Sequence, residues 1–344
     1  MTKANQTKTS TIQNDDLKQA LQACLREHFK TDCSIIGLKR EVSNYSSSFV
    51  IEELDVALDN GNRQMLLFKN PGNPVLQEQF PMTKPEFMSN PLREIEVYRR
   101  LLTTHGMGTA ECLGSVCNIK EKQFWLFLEK VNGLELYQFG DFEIWLKVAR
   151  WLARFHTRFG VGSRELTSGV PLLHYDREFY LAWPERANAF LPGRSKSVQK
   201  LESWTKDYYG SVVDRLMELP VTLLHGDFNA SNIIVQQTTQ SPRICPVDWE
   251  MAALGPGLID LAALISGNWS ADQRTNLARA YLGELQKSGQ YRAGEQMFLE
   301  DLNYCQLHLA MQWLGWSRNW SPPSEHKQDW LQRAIELTEK IGLC

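Results

Sequence analysis

A change of hydrophobic periodicity near Gly133 divides the chain into two parts of different character. Before it, β-branched and aromatic residues are dense in three short runs, at 34–42, 48–58 and 63–70. The last two runs are joined by Asp-Asn-Gly-Asn, a pattern typical of a hairpin turn in an antiparallel meander. After Gly133, apolar residues recur at helical spacing. The sequence therefore predicts an α+β fold.

The predicted domain boundaries follow the same change. Residues 1–14 are rich in Thr, Asn, Gln and Lys and are expected to be disordered. Residues 15–131 form a smaller unit, in which helices at 15–29 and 90–106 accompany the meander and two further strands. Residues 132–344 form a larger, mainly helical unit. Its predicted helices lie at 141–159, 196–218, 271–288, 294–317 and 325–341.

Charge and composition exclude several classes of protein. Thirty-seven Lys and Arg residues face 40 Asp and Glu residues, and a net charge of −3 argues against a nucleic-acid partner. No apolar run reaches the roughly 20 residues of a membrane helix, and the N-terminus lacks the apolar core of a signal peptide. A cytoplasmic protein without a membrane partner is expected. The seven cysteines are scattered without a CxxC pair, so neither a disulfide framework nor a zinc site is predicted.

One β-rich island interrupts the helical second half and carries the polar residues of most interest. It reads VTLLHGDFNASNIIVQQ, then a turn, then RICPVDWEMA, and so predicts two short strands around a hairpin. Asp227 and Asn232 precede the first strand, and Asp248 follows the second. Carboxylate and amide oxygens suit Mg²⁺, and a phosphoryl-transfer enzyme needs a carboxylate to accept the proton of the attacking hydroxyl. The island therefore predicts a phosphoryl-transfer site.

HGDFNASN followed by VDWE resembles the catalytic loop and metal-binding strand of the aminoglycoside phosphotransferase and choline kinase family, which is related to the protein kinases. The resemblance implies a bilobal, protein-kinase-like fold. It also implies that Asp227 is the catalytic base and that Asn232 and Asp248 bind Mg²⁺. Gly226 occupies the place where many protein kinases have an arginine that senses a phosphorylated activation loop. A small-molecule acceptor is therefore favoured over a protein residue.

The first half contains residues that the resemblance assigns to the nucleotide. Lys69 ends the third strand, as the phosphate-binding lysine does in this superfamily, and Glu94 on the following helix is its expected ion-pair partner. Glu129 and Val131 lie in a segment similar to the hinge, where backbone groups would face an adenine ring. The loop that covers the phosphates has no glycine, and its serines, Ser47 and Ser48, are the expected phosphate contacts.

Three further residues are expected to support the site without touching substrate. His225 lies in an apolar approach, Thr-Leu-Leu-His, and is expected to brace the catalytic loop rather than act as a base. The resemblance suggests that Asp260 ties the loop down by hydrogen bonds and that His156 is structural. Trp313 and Trp316, three residues apart, favour a core stripe over an aromatic cage for a cation.

The sequence thus predicts a small-molecule kinase that uses ATP, with GTP possible, and Mg²⁺. The acceptor remains open among aminoglycosides, amino alcohols, sugars and secondary metabolites, and so does the oligomeric state. Two alternatives remain. A non-catalytic, pseudokinase-like nucleotide-binding protein is suggested by the glycine-free loop, and a protein acceptor is disfavoured because no Ala-Pro-Glu motif follows Asp248.

Overall fold

The fold is described from a computed structural model, which covers residues 12–43, 51–72, 85–103, 106–160, 167–191, 195–289, 291–316 and 328–343. The chain forms two compact units. The first comprises residues 1–81 and 90–132, and the second comprises residues 82–89 and 133–344. From Gly133 onward, the chain therefore remains in the second unit.

The first unit is built on a five-stranded antiparallel sheet with the order β1-β2-β3-β5-β4. The predicted meander and its hairpin turn at 59–62 are confirmed, because Leu58 donates its N–H to the carbonyl of Asn62. The strands and helices of this unit are α1 (Asn14–Phe29), β1 (Ile35–Val42), β2 (Ile51–Leu58), β3 (Arg63–Lys69), α2 (Arg93–Glu96), β4 (Cys112–Asn118) and β5 (Gln123–Glu129).

Helix α1 covers one face of this sheet. Its apolar stripe, with Leu21 and Leu25 fully buried, packs into the core formed by the strands. The contact with β4 is close at Gly114, where an added Cβ would lie 2.3 Å from the Cβ of Cys24. The helix starts at Asn14, within the segment expected to be disordered, and Arg40 is hydrogen-bonded to the carbonyl of Ile12 and the side chain of Asn14.

The helix predicted at 90–106 is shorter and less regular than expected. Four α-helical residues, Arg93–Glu96, pass directly into one stretch of π-helix at Val97–Leu102. Ile95, Tyr98 and Leu101 are fully buried, so packing against the unit's core holds this helix in place. Stretches of π-helix are rare and occur mostly within longer helices.

The second unit is mainly helical, as predicted, with two small three-stranded sheets, β10-β9-β6 and β7-β11-β8. Its strands are β6 (Leu134–Glu135), β7 (Leu173–His174), β8 (Val221–Leu224), β9 (Ile233–Gln236), β10 (Arg243–Pro246) and β11 (Ala253–Pro256). Its helices are α3 (Phe142–Arg158), α4 (Arg177–Phe190), α5 (Lys196–Glu218), α6 (Leu258–Leu264), α7 (Ala271–Lys287), α8 (Glu295–Leu314) and α9 (Trp330–Ile341).

Helix α4 is absent from the sequence-based prediction. Pro184 lies inside it, and a proline within a helical pattern is normally taken as a break. The helix forms because Asp176 caps its N-terminus and because Phe179, Tyr180 and Trp183 are buried. Tertiary packing therefore outweighs the local cost of the proline.

The cysteines that the structure describes are all free thiols, five of them buried and Cys117 exposed. Burial raises the pKa of the Cys24 and Cys112 thiols to about 11. Within the described ranges, no helix has the length and apolarity to cross a membrane.

Candidate active site

The β9–β10 hairpin brings together the two residues predicted to bind metal. Ile233 pairs with Pro246 at the open end of the hairpin, and the N–H of Val247 donates to the carbonyl of Asn232 over 2.9 Å. Asn232, just before β9, therefore lies opposite Val247, and Asp248 follows Val247 directly in the chain. Sixteen positions of sequence separate Asn232 from Asp248, and the antiparallel register closes that gap.

The Asp227 carboxylate is held by two amide side chains. Asn232 donates its Nδ2 to Oδ2 over 2.9 Å and to the Asp227 carbonyl over 3.0 Å, and Asn229 donates to Oδ1. A carboxylate only accepts, so the nitrogen of each amide must face it. Because the Asn232 nitrogen is engaged with Asp227, its side-chain oxygen is the atom available to a cation. One side chain thus connects the predicted base to the predicted metal site.

Asp248 has a left-handed backbone, with φ 67° and ψ 60°. Apart from glycine, mainly Asn and Asp adopt this conformation, and it is typical of functional sites. The next residue, Trp249, is fully buried; its indole N–H donates to the carbonyl of Pro246, and its ring lies 4.5 Å from that of His225. This packing fixes the turn that carries Asp248.

His225 braces the loop at 225–232, as predicted. Its ring is fully buried, Nε2 lies 2.9 Å from the carbonyl of Val247, and Nδ1 accepts the backbone N–H of Asp227 over 3.3 Å. A carbonyl can only accept, so the proton is on Nε2 and Nδ1 is the acceptor. A histidine with both nitrogens engaged in this way is positioned as a brace between the two ends of the hairpin.

Asp260 anchors the backbone of the same loop, which confirms the predicted role. Its carboxylate is 1% exposed and accepts the N–H groups of His225 over 2.7 Å and Gly226 over 3.0 Å. It also lies 3.2 Å from Nε2 of His156, whose Nδ1 lies 2.8 Å from the Tyr281 hydroxyl. His156 is structural, as expected. Two helices, α3 and α6, thereby fix the peptide bonds that precede Asp227.

Gly226 is required by its surroundings. Its φ is +80°, and an added Cβ would lie 2.1 Å from the carbonyl oxygen of Met251. A side chain at this position is therefore excluded on both backbone and steric grounds. The absence of the protein-kinase arginine is thus a consequence of how tightly the loop packs on the segment after Asp248.

We expect Asp260→Asn to lower the free energy of unfolding by about 3 kcal/mol, because an amide cannot accept from all three buried donors that surround Asp260. Urea denaturation followed by tryptophan fluorescence measures this change. Asp272→Asn, on the exposed first turn of α7, is the matched control and should be neutral. A stability of Asp260→Asn equal to that of the control would contradict the anchoring role.

In the first unit, the predicted pair of Lys69 and Glu94 is formed. Nζ of Lys69 lies 2.7 Å from both carboxylate oxygens of Glu94, and the two residues are 5% and 2% exposed. Lys69 ends the central strand β3, which pairs with β2 and β5, so the backbone that carries it is held on both sides. A buried ion pair of this kind places one cationic side chain in a fixed position.

The other predicted nucleotide contacts are only partly described. Glu129 ends β5, where its N–H donates to the carbonyl of Glu111, and Val131 is buried. Ser47 and Ser48 lie outside the described residues. Gly133, at the start of the second unit, leaves no space for a side chain, since an added Cβ would lie 2.6 Å from the carbonyl of Val235.

The donor set of Asn232 and Asp248 fits magnesium. Among the described residues, no group of three or more His, Cys, Asp or Glu side chains converges as a metal cage. Mg²⁺ usually binds one or two protein oxygens and completes its octahedron with water and substrate phosphates. One carboxylate and one amide oxygen are therefore sufficient for a metal that arrives with a nucleotide.

Asn229 is a residue of the candidate site that sequence reasoning missed. It is 5% exposed, and its amide holds the Asp227 oxygen that Asn232 does not reach. The signal was weak, because Asn is common in turns for local reasons. Its one distinguishing feature is that it is a polar residue two positions after Asp227 and that its immediate neighbours in the sequence are apolar.

A comparison with models of protein families shows which family this chain belongs to. Residues 90–296, more than half of the chain, match the model of the phosphotransferase enzyme family. The chain belongs to this family. It is therefore a phosphotransferase with an alcohol group as acceptor, and the matched range includes Glu94, the loop at 225–232 and the β9–β10 hairpin. No curated protein matches this phosphotransferase by sequence.

Solved structures show the same fold at low sequence identity. The GDP complex of wild-type aminoglycoside 2'-phosphotransferase-IIIa has a TM-score of 0.55 and 14% identity, covering 96% of this chain and 98% of that one. Choline kinase LicA from Streptococcus pneumoniae has a TM-score of 0.56 and 11% identity, covering 95% and 98%. A microcompartment-associated aminopropanol kinase has a TM-score of 0.52 and 14% identity, covering 94% of each chain. The predicted protein-kinase-like α+β fold is confirmed.

Proposed function

We propose that this phosphotransferase moves the γ-phosphoryl group of ATP or GTP to a hydroxyl of a small, amine-bearing acceptor. The observation that carries the proposal is the convergence of Asp227, Asn232 and Asp248 on one hairpin. Asp227 accepts the proton of the acceptor hydroxyl as its oxygen attacks phosphorus. Asn229 and Asn232, each donating to one carboxylate oxygen, hold Asp227 in the orientation that this proton transfer needs.

Asn232 and Asp248 would hold Mg²⁺, which neutralises charge on the nucleotide phosphates when it is bound. The left-handed turn at Asp248 and the buried Trp249 fix the position of the Asp248 carboxylate. In such a transfer, the protein itself performs little covalent chemistry. Positioning and electrostatic stabilisation therefore supply most of the rate.

In the first unit, Lys69 is proposed to bind nucleotide phosphate oxygens. Glu94 accepts from the ammonium group on one side, which fixes the position of the Lys69 ammonium group. Glu129 and Val131 are proposed to bind the base of the nucleotide through their backbone groups, and Ser47 and Ser48 to bind phosphate. The GDP complex among the structural neighbours supports a nucleotide co-substrate and makes GTP a candidate equal to ATP.

The structural role of Lys69 can be separated from its role toward nucleotide. Lys69→Met removes the cation beside the buried Glu94 carboxylate and should lower the free energy of unfolding by about 3–5 kcal/mol. The double variant Lys69→Met/Glu94→Gln removes both charges and should regain most of that stability. We expect both variants to lose activity alike, measured as nucleoside diphosphate release.

Activity that returns together with stability in the double variant would contradict the phosphate-binding role. Arg63→Met, at the exposed beginning of the same strand, is the matched control for loss of a cation from β3. It should keep wild-type activity.

The acceptor class is proposed from the neighbours, whose names specify an aminoglycoside phosphotransferase, a choline kinase and an aminopropanol kinase. Their acceptors share a hydroxyl and a nitrogen. In this chain, Asp301 of α8 is ion-paired with Arg215, and Glu300 of the same helix accepts a hydrogen bond from Gln296. Asp272 is exposed on the first turn of α7.

The test is nucleoside diphosphate release from ATP or GTP with Mg²⁺ and a panel of aminoglycosides, amino alcohols and sugars. Release that depends on one acceptor class, and that Asp227→Asn abolishes, would establish the activity and name the class. Mg²⁺-dependent nucleotide binding is measured in parallel by thermal stabilisation, since a ligand that binds only the folded state raises the unfolding temperature. Absence of both release and nucleotide binding would contradict the proposed function.

A further inference from the structure

The second unit contains a cavity of about 250 Å³ that the proposed chemistry does not use. Much of its wall is apolar and includes Leu219, Leu258 and Leu285. None of the described residues that line it is Asp227, Asn232 or Asp248. An apolar cavity of about 150 Å³ in a protein can hold benzene, so this one has room for a substituted ring.

Two polar side chains lie in the wall of the cavity. The Tyr291 hydroxyl is buried and makes no hydrogen bond within the described part of the chain. Asp301 is 4% exposed and accepts from Arg215 over 2.8 Å and 2.6 Å. Burial raises the pKa of the Tyr291 hydroxyl, and the nearby charge of Asp301 raises it further. Buried polar groups in proteins normally have a partner, so either water or a ligand group in this cavity would bond to the Tyr291 hydroxyl.

The chemistry of these two groups selects the ligand. Asp301 can only accept a hydrogen bond, whereas a tyrosine hydroxyl can donate or accept. A ligand hydroxyl can donate to the first and accept from the second at once. A ligand carboxylate would be repelled by Asp301, and a purely apolar ligand would leave the Tyr291 hydroxyl without a partner. An aromatic alcohol therefore suits both the wall and the polar groups.

The cavity is also joined to the catalytic loop by a chain of hydrogen bonds. His156 and Tyr281 both line it. The Tyr281 hydroxyl bonds to Nδ1 of His156, and Nε2 of His156 bonds to Asp260. Asp260 in turn accepts the backbone N–H groups of residues 225 and 226. A molecule that contacts His156 is thus connected to the loop that carries Asp227 by two successive hydrogen bonds. From Tyr281 there are three.

We propose that this cavity is a regulatory site for a compact aromatic alcohol, and that its occupation alters the catalytic loop through Tyr281, His156 and Asp260. Such an effect requires that the ligand bind two arrangements of these hydrogen bonds with different affinities. Linkage requires the reciprocal effect, so the state of the loop would change the affinity of the cavity by the same factor.

Binding is tested with 4-ethylphenol as the probe, by isothermal titration calorimetry on the full chain. Leu285→Trp and Leu258→Trp each place an indole in the cavity from a different helix, and Asn276→Trp adds one on the exposed side of α7. We expect 4-ethylphenol to bind saturably to the wild type and to Asn276→Trp. Its affinity for a folded cavity-filling variant should be at least about tenfold lower. No saturable binding to the wild type, or equal binding to a folded cavity-filling variant, would overturn the proposal.

Coupling is tested by hydrogen exchange at the backbone amides of residues 225 and 226, with and without saturating 4-ethylphenol. We expect the exchange rate to change about fivefold or more, the lower range of allosteric coupling. Unchanged exchange with a filled cavity would show that the site is uncoupled and the regulatory role wrong. Transfer of phosphate to 4-ethylphenol itself would make the cavity an acceptor site instead. Binding and exchange need no turnover, so their failure is separate from failure of the proposed function.

Discussion

Asp227→Asn is expected to lower kcat by a factor on the order of 10² to 10⁴, the range that a positioned general base contributes. The KM for nucleotide should change little, because Asp227 is not one of the proposed nucleotide contacts. The measurement is steady-state release of nucleoside diphosphate with the acceptor that gives the highest rate. A pattern of lost kcat with retained KM indicates an interaction made in the transition state.

The control for this variant is Asp207→Asn, an exposed carboxylate on α5 that should leave kcat unchanged. Stability must be measured as well, because the Asp227 carboxylate accepts from the amides of Asn229 and Asn232. An asparagine at 227 still offers one accepting oxygen, and we expect a loss of about 1 kcal/mol at most. A folded Asp227→Asn enzyme that retains more than about a tenth of wild-type kcat would rule out the role of base.

Asp248→Asn is expected to reduce kcat/KM by about 100-fold or more at limiting Mg²⁺, since it removes the one charged ligand proposed for the metal. Asparagine tolerates the left-handed backbone at this position, so the turn should survive. Raising the Mg²⁺ concentration should recover part of the activity. The measurement is kcat/KM as a function of Mg²⁺ concentration.

Asp248→Ala separates the charge from the backbone. Alanine is disfavoured at φ 67°, so this variant should lose both metal binding and stability, whereas Asp248→Asn should lose only the first. Asp207→Asn, the exposed carboxylate on α5, is again the control for loss of one carboxylate. An Asp248→Asn enzyme with the Mg²⁺ dependence of the wild type would contradict the ligand assignment.

Much of the fold was predictable because it is encoded locally. The alternation of residues in β2 and β3, the Asp-Asn-Gly-Asn turn between them and the apolar stripe of α1 each specify their element within a few residues. Helix α4 was not predictable in this way. Its formation depends on burying Phe179 and Trp183 against other helices, which outweighs Pro184, and such contacts are invisible in a short window of sequence.

The same distinction applies to the candidate site. The order Asp227, Asn232, Asp248 in the sequence was enough to predict the family, since this spacing is shared by kinase-like phosphotransferases. Sequence order alone says nothing about which amide nitrogen faces which oxygen. The engagement of Asn232 with Asp227, the role of Asn229 and the clash that forces glycine at 226 follow from atoms that meet only in the folded chain.

What the sequence determined by itself is therefore the set of chemical groups, because residue type fixes which atoms can donate, accept or carry charge. It also determined the local elements that carry them. The tertiary structure decided which of these groups meet. The register of β9 against β10 places Asn232 opposite Val247, the residue before Asp248. The burial of Asp260 joins three donors to one carboxylate, and the packing of α3, α7 and α8 leaves the cavity. These are contacts between residues distant in sequence, and their energies depend on distance and burial, which only the folded chain defines.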